Sequence, residues 1–315
     1  MGKSGPRRLT RRLTLGLFSA SLVTPAARAG GHFAAHGLDV AEEPVTSSRA
    51  QFQALLAGAY DLVLTSPDNV LAYRLDPGNP LGATHDVRIL AAVDRGLGLS
   101  LVGAPDIRTC DDVRGKTVAV DVPGSGFAFT LYHLLASAGL RRDTDYRIES
   151  AGTTPRRREA LLTGKYAATM LGAGHDVAAV RAGCHRIARA TELVRPYLGT
   201  VVAGFGPWLD AHGDVVAAFL AAWRAAAADV VEPGRRADTL RAIEDHLHLR
   251  GPDAEEFSTV LVSPDEGLSL DGTIDAAALA AIAGLRAEHG RPGAAVPDLA
   301  SPAATRLVDD RFLPR

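Results

Sequence analysis

The sequence is short of cysteine, of charge bias and of long apolar runs, and each shortage removes a class of protein. Cys110 and Cys184 are the only cysteines in 315 residues. They are too few for a disulfide-stapled fold, a cysteine zinc site or an iron–sulfur cluster, and they allow at most one disulfide. Basic residues number 34 and acidic ones 36, a formal charge of −2, so neither sign dominates and no nucleic-acid partner is expected. No run of about 18 apolar residues occurs, so no transmembrane segment is expected. The phosphate-loop, GxGxxG and GxSxG patterns are also missing, and no cofactor or metal is expected. What is plentiful is apolar residue, 47% of the chain, enough for the cores of one large or two ordinary globular units.

The N-terminus carries two readings. Met1 to Ala29 imitates an export signal of twin-arginine type: Arg7, Arg8, Arg11 and Arg12, then the apolar run Leu13 to Val23, then Ala27-Arg28-Ala29 as a cleavage site. The competing reading makes Leu13 to Leu17 a buried strand and Pro25 to His36 a helix ended by Gly37. Cleavage would then remove a strand.

An internal repeat favours the strand. Residues 54–60 read ALLAGAY and residues 160–166 read ALLTGKY, an offset of 106. Each copy is followed by a short apolar strand, Asp61 to Leu64 and Ala167 to Leu171. A small polar turn then opens another helix, Ser66-Pro67-Asp68-Asn69 in one copy and Gly172-Ala173-Gly174-His175 in the other. Upstream, the strands Asp39 to Val45 and Tyr146 to Ala151 correspond. The strand Thr117 to Asp121 then needs a partner in the first copy, and Leu13 to Leu17 is the candidate. The result is βαβαβα twice, an α/β fold of two mostly parallel sheets flanked by helices. Val87 to Val93 and Leu97 to Val102 carry the chain across, and Tyr197 to Phe205 returns it. Residues 1–10 are expected as a disordered basic lead, 11–100 plus 199–315 as one discontinuous lobe, and 101–198 as the other. The strand reading points to a cytoplasmic location; the signal reading points to export.

A cleft between such lobes receives the strand ends and the helix N-termini, whose bare N–H groups suit a carboxylate, sulfonate or phosphate. The expected ligand contacts are Ser19, Ser21, Ser47, Ser66, Asn69, Ser125, Gly126, Phe127, Thr153 and His175. Ordinary helix capping explains each Ser or Thr taken alone. Gly124-Ser125-Gly126-Phe127 is the sharpest of these turns, since its glycines admit close backbone approach and Phe127 offers a stacking face. Candidate acid–base groups are His175 and Asp68, with Arg95 as a carboxylate clamp or a hinge ion pair. His32/His36 and His246/His248 lack further ligands and read as surface histidines. Arg156-Arg157-Arg158 opens a helix against its dipole and reads as a solvated run.

Together, Gly31-x-Phe33-x-x-x-Gly37-Leu38-Asp39-Val40, ALLAGAYDLVLTSPDNV and Val113-Arg114-Gly115-Lys116-Thr117-Val118-Ala119-Val120-Asp121 resemble the NMT1/THI5-like branch of ABC-transporter solute-binding proteins. The resemblance runs from about Leu13 to Gly206. It implies the type 2 periplasmic-binding-protein fold, two lobes closing on a small molecule by hinge motion, with an ABC permease as partner. By position, the family's ligand contacts fall on the six turns of the two repeats. The chain departs from the family in lacking an acylated cysteine near its start and the cysteine-rich iron motif of the pyrimidine synthases. It also has Ser19 and Ser21 where a desulfinase of this fold uses cysteine. The expected function is capture of a small, anionic organic molecule. The alternative is a cytoplasmic decarboxylase or lyase on the same scaffold.

Overall fold

The computed structural model describes residues 10–291 and 297–314; the expected basic lead lies outside the described residues except for Thr10. Short apolar strands alternate with helices through the first two thirds of the chain. In order these are β1 (Arg11–Leu17), α1 (Val23–Ala29), α2 (His32–Ala35), β2 (Leu38–Pro44), α3 (Ser48–Leu56), β3 (Leu62–Thr65), α4 (Pro67–Leu75), β4 (Val87–Ala92), β5 (Ser100–Gly103) and β6 (Thr117–Val120). Then come α5 (Gly126–Ser137), β7 (Arg147–Ser150), α6 (Thr154–Leu162), β8 (Ala168–Leu171), α7 (His175–Arg181), β9 (His185–Arg189), α8 (Ala190–Leu193) and β10 (Val201–Phe205). The last third is helical: α9 (Gly206–Ala211), α10 (Gly213–Val231), α11 (Arg236–Leu247), α12 (Pro252–Leu261) and α13 (Ala276–His289).

Two five-stranded sheets result, in the orders β2-β1-β3-β10-β4 and β7-β6-β8-β5-β9. In each, three parallel strands sit beside two that join antiparallel. The sheets correspond strand for strand, as a repeated βαβαβα unit requires. Every residue of β3, β4, β5 and β8 is buried, which explains why these strands are mostly apolar rather than alternating: helices cover both faces of the sheet. In β1, Leu13, Leu15 and Leu17 are buried and the strand pairs with β2 and β3 on its two sides. A cut after Ala29 would therefore take β1 out of the first sheet and remove α1, which packs on α10. The single helix expected over Pro25 to His36 is two, because Gly31 adopts φ +70° between them, a conformation that glycine reaches without steric cost. β9 (HRIAR) was not expected: it is a half-buried edge strand with no apolar run to announce it.

Two crossings join the sheets, β4 to β5 and α8 to β10, and Asp94 ties one to the other. Its Oδ1 accepts from the N–H groups of Gly96 (2.8 Å) and Thr200 (3.2 Å), while its carbonyl accepts from Gly199 N–H (3.0 Å). Burial raises the Asp94 carboxyl above its usual range, against the pull of those hydrogen bonds. A Cβ on Gly199 would meet Asp94 Oδ1 at 2.0 Å, so only glycine fits there. Among the helices of the last third, α10 packs on α1, α12 on α7, and α13 on both α4 and α5. No helix among the described residues is long and apolar enough to cross a membrane. Cys110 and Cys184 are both free.

Candidate functional site

The turns after β1, β2, β3, β6, β7 and β8 converge on a cavity of about 220 Å³ between the sheets. Nine of the ten expected contacts line it: Ser19, Ser21, Ser47, Ser66, Asn69, Ser125, Gly126, Phe127 and Thr153. Their hydroxyls divide into two kinds. Ser47 and Ser125 cap helices, accepting from Ala50 and Ala128 N–H (3.1 Å each), and Ser125 also donates to Asp121. Ser66 and Thr153 occupy the same N-terminal position on α4 and α6 without a side-chain cap bond, so capping does not account for them. Asn69 donates to Thr65 Oγ1 at 3.0 Å.

Gly126 is where the two halves touch. A Cβ there would meet Asp68 Cβ at 2.7 Å and Ser66 Oγ at 2.9 Å, so the bare backbone is what lets α5 reach α4.

The expected acid–base and clamp groups stand off the cavity. Asp68 is fully buried and accepts from Arg286 Nε (2.6 Å) and Nη2 (2.8 Å), an ion pair between α4 and α13. Burial lifts its carboxyl and the Arg286 charge opposes that lift. Arg95 donates to Leu268 O at 3.1 Å, so it belongs to the crossing. His175 opens α7 as expected but does not line the cavity, and Arg158 Nη1 lies 3.3 Å from its Nδ1. Burial, then the charges of Arg158 and Arg157, lower the imidazole to about 4, so it is neutral at pH 7.

One charged residue that the sequence reading took as solvated lines the cavity instead. Arg157 is 2% exposed and sits on the inner face of α6, four residues before the equally buried Leu161. That spacing is the signal that would have found it. All its partners are neutral oxygens: Thr169 Oγ1 (3.1 Å), Thr154 Oγ1 (3.1 Å), Met170 O (3.2 Å) and Gly152 O. Burial pushes the guanidinium below its usual range, with Asp121 as the charge acting the other way. Arginine stays protonated regardless, so a desolvated cation is held at the cavity wall without an ion-pair partner among the described residues. Burying such a charge costs several kcal/mol unless an anion meets it. Leu247, Phe257, Leu261 and Leu268 give the cavity an apolar side, also unforeseen because α11 and α12 lie far from the repeat in sequence.

Residues 34–186 match the family model described as ABC transporter, phosphonate, periplasmic substrate-binding protein. No curated protein matches the chain. Among solved structures, the alkanesulfonate-binding protein SsuA of Xanthomonas axonopodis pv. citri, bound to MOPS, is 18% identical. It superposes with a TM-score of 0.71 over 88% of this chain and 93% of its own. The periplasmic nitrate-binding protein NrtA of Synechocystis is 14% identical, TM-score 0.73, over 96% and 87%. A Candida albicans gene product exhibiting the generic periplasmic binding protein fold is 16% identical, TM-score 0.72, over 97% and 98%. The chain has the fold of a periplasmic binding protein, two α/β halves with a cavity between them.

Proposed function

We propose that this protein captures a small organic anion in its cavity as the solute-binding component of an ABC importer. The observation that carries the reading is Arg157, a buried cation on the cavity wall whose protein partners are all neutral. A carboxylate, sulfonate or phosphonate head would take the charge-assisted hydrogen bonds that this guanidinium offers. Ser66, Thr153 and the N–H groups at the start of α6 would share its remaining lone pairs. The apolar side at Phe257 and Leu261 suits a hydrocarbon tail. The matched family and the SsuA and NrtA structures are named for phosphonate, alkanesulfonate and nitrate, all anions.

In this reading residues 11–100 plus 199–315 and residues 101–198 are the two closing lobes, and an ABC permease receives the ligand. The narrower NMT1/THI5-like placement rests on the sequence runs alone. The cytoplasmic expectation gains no support, since the matched family and the nitrate-binding protein are both described as periplasmic. We favour an exported location.

The test is calorimetric titration of the full chain with nitrate, alkylsulfonates, alkylphosphonates and aromatic carboxylates. Saturable 1:1 binding of at least one anion, lost in Arg157→Met, supports the proposal. Binding of neutral or cationic metabolites but of no anion overturns it.

A further inference from the structure

We propose a second site, for a divalent transition-metal ion of the zinc class, built from His133, Glu288 and His289 where α13 meets α5. It is independent of the cavity and of the function proposed for it. His133 Nδ1 and His289 Nε2 are 3.3 Å apart; Glu288 places one carboxylate oxygen 3.5 Å from the first and the other 3.4 Å from the second. Ligands about 2.0–2.1 Å from a tetrahedral zinc ion lie about 3.3–3.4 Å from one another. The two imidazole nitrogens already stand one such edge apart, and Glu288 brings a single carboxylate oxygen within 4.8 Å of both, so a small rotation of its exposed side chain completes the triangle. Two imidazoles and one carboxylate are a donor set that zinc favours, whereas magnesium and calcium prefer all-oxygen sites.

The ligands are held in place by what surrounds them. The His289 ring packs edge-on against Tyr132 with centroids 6.3 Å apart, and Arg142 both donates to the His289 carbonyl (3.3 Å) and lies over the Tyr132 ring. Glu288 and His289 are the last two residues of the 14-residue α13, where the carbonyl end of the helix favours positive charge. Neither α5 nor α13 moves far to close the site, because they already pack together. A bound ion cross-links them, and since α13 also rests on α4, the link reinforces the layer that spans both sheets.

The experiment is titration of chelator-stripped, full-length protein with zinc chloride, read by calorimetry and by thermal melting, with cobalt(II) absorption as a reporter of coordination. The expected result is one equivalent bound and a raised melting temperature. His133→Gln and His289→Gln each weaken binding about 100-fold, and His246→Gln, on α11, leaves it unchanged. Each variant should melt with the metal-free wild type, so that lost binding is not lost folding. The proposal is overturned if the wild type binds no zinc equivalent, if His133→Gln binds as tightly as wild type, or if cobalt gives only the spectrum of the hydrated ion.

Discussion

Arg157 and Arg286 are both arginines withdrawn from water, 2% and 8% exposed, and they do opposite things. Arg286 meets Asp68 through two parallel hydrogen bonds, so its charge is balanced within the protein and its work is to hold α13 on α4. Arg157 is ringed by hydroxyls and carbonyls that orient it without neutralising it. A buried charge that is balanced marks structure. One that is oriented by neutral groups beside a cavity is what the proposed anion binding rests on.

The comparison can be broken most forcefully at Arg286. Arg286→Met leaves the Asp68 carboxylate buried alone and should lower stability by about 3–5 kcal/mol in urea denaturation, while the folded fraction still binds anions. Adding Asp68→Leu should restore most of that loss; a double variant no more stable than the single one would show that the pair is not the source. Arg157→Met should invert the pattern, weakening anion binding about 100-fold in calorimetric titration with the smaller stability loss of the two.

A weaker test uses His175, which feels Arg157 and Arg158. Its folded pKa, about 4, lies below the unfolded value. Between pH 6.5 and pH 4 the unfolded chain therefore binds the extra proton, and stability falls as pH falls through that window. Urea melts at pH 7 and pH 4.5 should differ by about 2 kcal/mol from this group, a difference that His175→Gln removes. Smallest are the hydroxyls. Ser47→Ala and Ser125→Ala should each cost about 1 kcal/mol of stability as lost caps. Ser66→Ala and Thr153→Val should leave melting temperature nearly unchanged and lower affinity instead, which separates cap from contact.

The repeat made the architecture legible. ALLAGAY and ALLTGKY end corresponding helices, α3 and α6, and the alignment they force puts a strand at Leu13, where β1 lies. The cleft turns were legible for the same reason, because strand ends and helix starts fall at fixed places in a βαβ unit. Arg157 was not legible by composition, since a triplet of arginines has the same letters whether one of them turns inward or none does. The Asp68–Arg286 ion pair is not legible because its partners stand 218 residues apart, and pairings across such a distance leave no local pattern. The apolar side of the cavity shares that origin: Leu247 and Phe257 belong to helices outside the repeat.

The two sheets also differ in when they can exist. All strands of the second sheet lie between Ser100 and Arg189, an unbroken stretch, whereas the first sheet takes its strands from Arg11 to Ala92 and then waits for β10, Val201 to Phe205, to fill the gap between β3 and β4. During synthesis, the half of the protein that is made later is therefore the first that can close its sheet. The earlier half stays open along β3 until the chain returns, and the apolar side of the cavity, Leu247 to Leu268, is made later still.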